Sequence, residues 1–371
     1  MSHTQNGVKP AFFNRNVAIV FSSSDYFSKF LAVCIKSVID TASAENNYDI
    51  VIFERNISER NKKRIWELVK NKENFSIRFF NIKDVMKNYH FFLNSNRISQ
   101  ETYYGLLVPF LLPNYERAIV MDCDMIVKKD LSSLYFEDLE GKAIGGVNDI
   151  VLLGWLNDRK GKDAHTYYKE YLHVNDPYKF FNGGLLLIDF KKYRAIVTKE
   201  KVENYINNYK LRIVDQDIIN ILMEGHTKLL DVRWNHLIYV EGAVSEAIHD
   251  APVEAQKLYF ESQQAPYVIH YAGDVKPWNE PSVDFGDDFW EEARKTPFYE
   301  EILYGMINNI SQKIVLSHEI IHHGSFIKRI VSPYRVNKLK VFVKTNLKKD
   351  SFTYKTIRRI YFFLTNRPYT K

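Results

Sequence analysis

Cysteine is nearly absent from this chain. Cys34 and Cys123 are the two among 371 residues. That argues against a disulfide scaffold or a cysteine-based metal site and fits a reducing cytoplasm. Residues 1–15 are polar and lack the apolar stretch of a secretory signal. No apolar run approaches the ~20 residues that span a bilayer. The expectation is a chain that is soluble or attached to a membrane surface. There is no internal repeat and no low-complexity segment. What is present is ordinary globular material: 46% hydrophobic and 26% charged residues, in a chain long enough for a large core and more than one domain.

The net charge of +6 conceals an asymmetry. Residues 328–371 hold thirteen Lys/Arg and one Asp, so this stretch is +12 and residues 1–327 carry −6. The basic stretch interleaves its charges with Ile, Val, Phe and Tyr, and it calls for an anionic surface. The acidic body does not read as a nucleic-acid binder.

Along the body, residues 17–21, 49–54 and 75–81 read as strands. Residues 27–42 and 58–70 read as helices, the second capped by Ser58. Residues 100–112 read as a helix ending before Pro113. Residues 117–122 read as the next strand. Further on, 143–147, 185–189 and 267–270 read as strands, 215–223 as a helix with acidic residues in its first turn, and 287–304 as an amphipathic helix. Strands alternating with helices predict an α/β fold with a mostly parallel twisted sheet covered on both faces. Ligands bind such sheets at the carboxyl ends of the strands.

At one such end stands Asp122-Cys123-Asp124. If the strand continues through it, both carboxylates project from one face and Cys123 from the other. Two hard oxygens so placed suit a divalent cation, which can in turn hold a diphosphate. Taken alone, the triplet is equally a solvated strand end or a helix cap. Far downstream, residues 270–278 combine His270, able to offer an imidazole nitrogen to a metal, with Gly273, which permits close backbone approach, and Lys276, a point charge for a diphosphate. A lone histidine at a strand end is more often structural, but here the three form a compact kit.

With these motifs in order, the sequence resembles glycosyltransferase family 8, the group of bacterial lipopolysaccharide and lipooligosaccharide glucosyl- and galactosyltransferases and of glycogenin. The likeness runs over about residues 17–304. It rests on the first strand ending in Ser24-Asp25, on Val120-Met121-Asp122-Cys123-Asp124, and on Phe181-Asn182-Gly183-Gly184. It continues through Asp215-Gln216-Asp217, the 270–278 segment and Phe289-Trp290-Glu291. The resemblance implies a GT-A type fold. It implies that Asp122, Asp124 and His270 bind Mn²⁺ (or Mg²⁺), with Cys123 between them in the nucleotide-sugar site. It further implies that Gly273 and Lys276 contact the diphosphate, that Asn182 and Gly183 line the donor sugar, that Asp215 and Gln216 lie nearest the reacting carbon, and that Ser24 and Asp25 meet base and ribose. Without that context, residues 182–184 would read as a turn before a strand and Asp215 as a helix cap. Two positions depart from the family pattern. Ser24-Asp25-Tyr26 replaces the usual paired Asp and Asn. Gly105 replaces an Arg, so either another base such as Arg97 substitutes or the donor site is weakened.

The implied activity is retaining, metal-dependent transfer of glucose or galactose from a UDP-hexose to a glycan or lipid-linked acceptor. Residues 1–15 would then be a tail, 16–304 the catalytic domain, and 305–371 a membrane-association region on the cytoplasmic face of the inner membrane. Two other readings are a catalytically impaired sugar-nucleotide-binding or scaffold subunit of a glycan assembly complex, and a hydrolase using Asp122 and Asp124 with water.

Overall fold

The first strand shows why the apolar runs enter a covered sheet. Residues 17–21 are all fully buried, and because successive side chains face opposite ways, both faces of the strand must be packed. The computed structural model describes residues 8–93, 99–158, 162–238 and 243–322. Arg97 and the basic stretch from residue 328 lie outside the described residues. The chain divides into two units, Met1–Gly273 and Asp274–Lys371.

In the first unit the strands are β1 (Asn16–Ser23), β2 (Asn47–Glu54), β3 (Phe75–Asn81), β4 (Arg117–Met121), β5 (Met125–Val127), β6 (Ile144–Asn148), β7 (Phe181–Asp189), β8 (Thr227–Leu229), β9 (His236–Leu237) and β10 (Val268–His270). Seven of them form one sheet in the order β3-β2-β1-β4-β7-β6-β8. Strands β1 to β4 run parallel, as do β6 and β8, while β7 runs antiparallel to both β4 and β6. The mostly parallel α/β sheet expected from sequence is present. A second, three-stranded sheet has the order β5-β10-β9.

Three segments of the first unit depart from the sequence expectation. Residues 100–112 are not one helix: a 3-10 segment, Gln100–Leu107, passes into a short α-turn, Val108–Leu111. Pro109 has no N–H to give the carbonyl of Gly105, so a continuous α-helix is interrupted there, and Pro109 fits the first turn of the new one. Residues 182–184 lie inside β7 rather than in a turn before it. Asn220 explains this: its side chain accepts from Phe181 N at 2.9 Å and donates to Phe181 O at 2.8 Å, standing in for a neighbouring strand. Finally, β4 stops at Met121, and Cys123 and Asp124 form a bend before β5.

The second unit is built around Trp278, Phe289 and Trp290, all buried. Trp290 donates its indole N–H to Pro277 O at 3.0 Å. The sequence predicts one helix over 287–304. Two are found, Gly286–Ala293 and Tyr299–His322, because Pro297 disfavours helical geometry in the residue before it. Thr296 fills the gap, its hydroxyl donating to Ala293 O and accepting from Phe298 N.

Candidate functional site

The acidic pair and His270 meet because of how the two sheets are joined. The bend after β4 carries the chain from the large sheet into β5 of the small one. There β5 pairs antiparallel with β10, setting His270 opposite Met125, one residue past Asp124. Tyr271 N donates to Asp124 O at 3.0 Å and closes the corner. Residues about 150 positions apart thus share one site. His270 Nε2 lies 3.4 Å from Asp124 Oδ1 and 3.7 Å from Asp122 Oδ2. One ligand atom from each of the three falls within 4.8 Å of the others. The convergence comes from a bend, not from the period-two alternation of a continuing strand. Side-chain exposure falls from 55% at Asp122 through 15% at Asp124 to 3% at His270, so the cluster is closed behind the imidazole and open at Asp122. Two carboxylates and an imidazole suit a divalent cation of intermediate hardness.

The antiparallel entry of β7 supplies the next layer. Because β7 starts where β4 ends, Asp122 N donates to Gly184 O at 2.8 Å. A Cβ on Gly184 would meet the His270 ring at 2.4 Å and Asp122 Oδ2 at 2.9 Å. The missing side chain is the space the imidazole occupies. At Gly183 a Cβ would find an ordinary 3.4 Å contact with Gln216.

Behind the cluster runs a buried chain of polar side chains. His270 Nδ1 lies 2.9 Å from Asn235 Oδ1, and Asn235 Nδ2 donates to Asn182 Oδ1 at 2.9 Å. Asn182 Nδ2 reaches Asp149 Oδ2 at 3.3 Å, and Gln216 Nε2 donates to the same oxygen at 2.9 Å. Gln216 Oε1 accepts from Gly183 N at 2.9 Å. Asp149 Oδ1 caps the helix Ile150–Asn157 through Val151 N and Leu152 N. All five side chains are buried, and each is hydrogen-bonded, as buried polar groups must be. Sequence reading missed Asp149 and Asn235. Asp149 did carry a cap signal, an acidic residue directly before the apolar run 150–153. Asn235, between Trp234 and His236, carried none.

Asp215 and Gln216 start the helix Val214–Leu222. Burial, reinforced by the negative charge of Asp122, pushes the Asp215 carboxyl well above the usual carboxylate range. Ser24 and Asp25 stand at the carboxyl end of β1. There Asp25 Oδ1 accepts from Ser58 N, Ser58 Oγ and Asn61 Nδ2 at 2.8–2.9 Å. Burial raises the Asp25 pKa, but these bonds outweigh it and the net shift is downward. Cys123 turns inward. Its buried thiol donates to Ser22 O at 3.2 Å, and burial raises its pKa. Gly105 has room for a Cβ at 3.4 Å from Val120. Gly273 ends the first unit. Lys276 belongs to the second, where its ammonium lies 6.0 Å from the centre of the Trp278 ring.

Known proteins are similar to this chain. General stress protein A of Bacillus subtilis (strain 168) is 28% identical over 267 residues, which is 70% of this chain and 87% of that protein. The lipopolysaccharide 1,2-glucosyltransferase of Escherichia coli (strain K12) is 27% identical over 181 residues, 46% of this chain and 47% of that enzyme. The apo structure of the WbbM bifunctional glycosyltransferase matches with a TM-score of 0.70 at 28% identity, over 81% of this chain and 53% of that one. The chain therefore spans about half the length of the last two. The fold is of the GT-A type. The model of glycosyl transferase family 8 matches residues 18–282, more than two thirds of the sequence, and the chain belongs to that family.

Proposed function

We propose that the protein transfers a hexose, glucose or galactose, from a UDP-sugar to a glycan acceptor of the cell surface, with retention at the anomeric carbon. The observation that carries this reading is the convergence of Asp122, Asp124 and His270 within 4.8 Å at the carboxyl edge of β4, beside the residues that open β7. A manganese or magnesium ion held by the three would supply positive charge to the departing diphosphate. The half-exposed Asp122 leaves the cluster accessible to a phosphate ligand. Lys276 enters the reading through its sequence motif, as a diphosphate contact. Asn182 and Gly183 line the sugar, Ser24 and Asp25 the base and ribose.

Retention is served by attack on the face from which UDP leaves. The acceptor hydroxyl oxygen bonds to C1 as the C1–phosphate oxygen bond breaks, and its proton passes to the departing phosphate oxygen. Gln216 supports this role because Gly183 and Asp149 hold both ends of its amide, a pre-set position that costs no reorganisation during reaction. Asp215 is the orienting group, or in the less favoured route the nucleophile. The likeness to a lipopolysaccharide glucosyltransferase supports a lipid-linked glycan as acceptor. A panel of UDP-hexoses with Mn²⁺, followed for UDP release with and without lipooligosaccharide, tests this. Acceptor-dependent release from one donor is expected. Release that is indifferent to acceptor would indicate a hydrolase, and no release from any donor would indicate a binding subunit.

A further inference from the structure

The proposed donor site depends on an imidazole whose ring nitrogens have separate tasks, and the hydrogen bonds behind it specify which nitrogen does which. The backbone N–H of Gly184 can only donate, and it donates to Asn182 Oδ1 at 2.9 Å. That oxygen also faces Asn235, so the Asn235 atom pointing at it must be the amide nitrogen. The carbonyl oxygen of Asn235 is then the atom 2.9 Å from His270 Nδ1. An oxygen acceptor there requires the proton on Nδ1. The lone pair is left on Nε2, the nitrogen that faces Asp122 and Asp124.

We infer that Asn235 is a positioning residue for the metal centre: it fixes His270 in the tautomer that can ligate a cation, and ties that choice to Asn182 on the sugar side. Its own placement is rigid. Asn235 is buried, ends the 3-10 turn Val232–Asn235, which Asp231 caps, and directly precedes β9, which pairs in parallel with β10. The sheet register that delivers His270 therefore also delivers its orienting partner. Partners of this kind, behind a ligand histidine, set ring orientation and ligand basicity.

The inference rests on the metal-centred donor site proposed above, and its test separates the two. Mn²⁺ affinity is measured without nucleotide, by the electron paramagnetic resonance signal of free Mn²⁺, in wild type, Asn235→Ala and Asn235→Asp. A loss of about 10- to 100-fold is expected in Asn235→Ala, with part of it regained in Asn235→Asp, which keeps an acceptor for Nδ1–H but offers no donor to Asn182 Oδ1. Equal loss in both variants, or affinity in Asn235→Ala within twofold of wild type, overturns the inference. Folding of the variants is not required for the second readout. Long-range proton–nitrogen correlation spectra of metal-free wild type, labelled at histidine, should show the neutral His270 ring protonated at Nδ1, and a neutral ring carrying its proton on Nε2 overturns the inference directly. Wild type that takes up no Mn²⁺ at all overturns the metal-site reading itself and this inference with it.

Discussion

A methyl group in place of the Gly184 side-chain hydrogen would close the site. Its neighbour Gly183 makes the comparison sharp, since a methyl group there meets only an ordinary contact with Gln216 whereas at Gly184 it meets the His270 ring at 2.4 Å. Gly184→Ala is therefore expected to weaken metal-dependent UDP binding by more than tenfold, and Gly183→Ala to leave it within a few-fold. Isothermal titration of UDP in the presence of Mn²⁺ reads both. Equal affinities in the two variants would show that the close approach is not needed. At this scale the sequence was informative where motifs in order single out residues able to ligate: Asp122, Asp124 and His270 were legible as candidates through their motifs, and the fold brings them within 4.8 Å of one another. Gly184 was legible as a glycine but not as the space for an imidazole. Asn235 was not legible, since its meaning lies in contacts with residues 35 and 53 positions away.

Elements place these residues, and two contacts show how firmly. The helices Ile150–Asn157 and Ala243–Asp250 meet so closely that a Cβ on Gly154 would lie 1.7 Å from Ala247 O. Backbone on one side cannot yield as a side-chain tip can. Gly154→Ala should destabilise the protein by about 3 kcal/mol, the upper end for overpacking, measured as a shift in the urea midpoint. A change below about 0.5 kcal/mol would mean that the helices slide apart freely. Because Asp149 both caps the first of these helices and holds Gln216, the same substitution should also weaken donor binding. The second contact is His236 in β9, fully buried, with its Nδ1 2.7 Å from Ser262 Oγ and its ring stacked on Tyr259. Burial lowers its pKa to about 4. Below about pH 6.5 the unfolded chain takes up a proton there that the folded chain refuses until about pH 4. Stability should fall across that window as pH drops, by up to about 3 kcal/mol, and flatten beneath it. Urea titrations between pH 7 and pH 4 should show this acid-sensitive component in wild type and not in His236→Gln. Identical pH slopes would contradict it. Elements were legible where hydrophobic pattern decides them, as in β1 to β4. They were misread where one group overrides the pattern: Pro109 and Pro297 by withholding an N–H or restricting a neighbour, Asn220 by pairing with Phe181 as a strand would.

For the molecule as a whole, the separation of charge between an acidic body and a basic end is the main feature. No described helix is long and apolar enough to cross a membrane. We propose that the region 305–371 attaches the protein to an anionic leaflet, where a lipid-linked acceptor would be met. Charges alternating with aromatic and branched residues suit an interfacial segment, and each basic residue near such a surface contributes roughly 1 kcal/mol. Removing residues 326–371 should abolish flotation with anionic vesicles at low salt while transfer to a soluble acceptor survives. Flotation of the shortened protein would assign the basic stretch another role. Donor binding by the body through the cation cluster is tested most directly by one titration: UDP affinity by calorimetry, with Mn²⁺ and with chelator, in wild type and Asp124→Asn. Wild type should bind tightly with Mn²⁺, with at least a tenfold loss both on chelation and in the variant. Unchanged affinity in Asp124→Asn, or binding by wild type that ignores the cation, would contradict it.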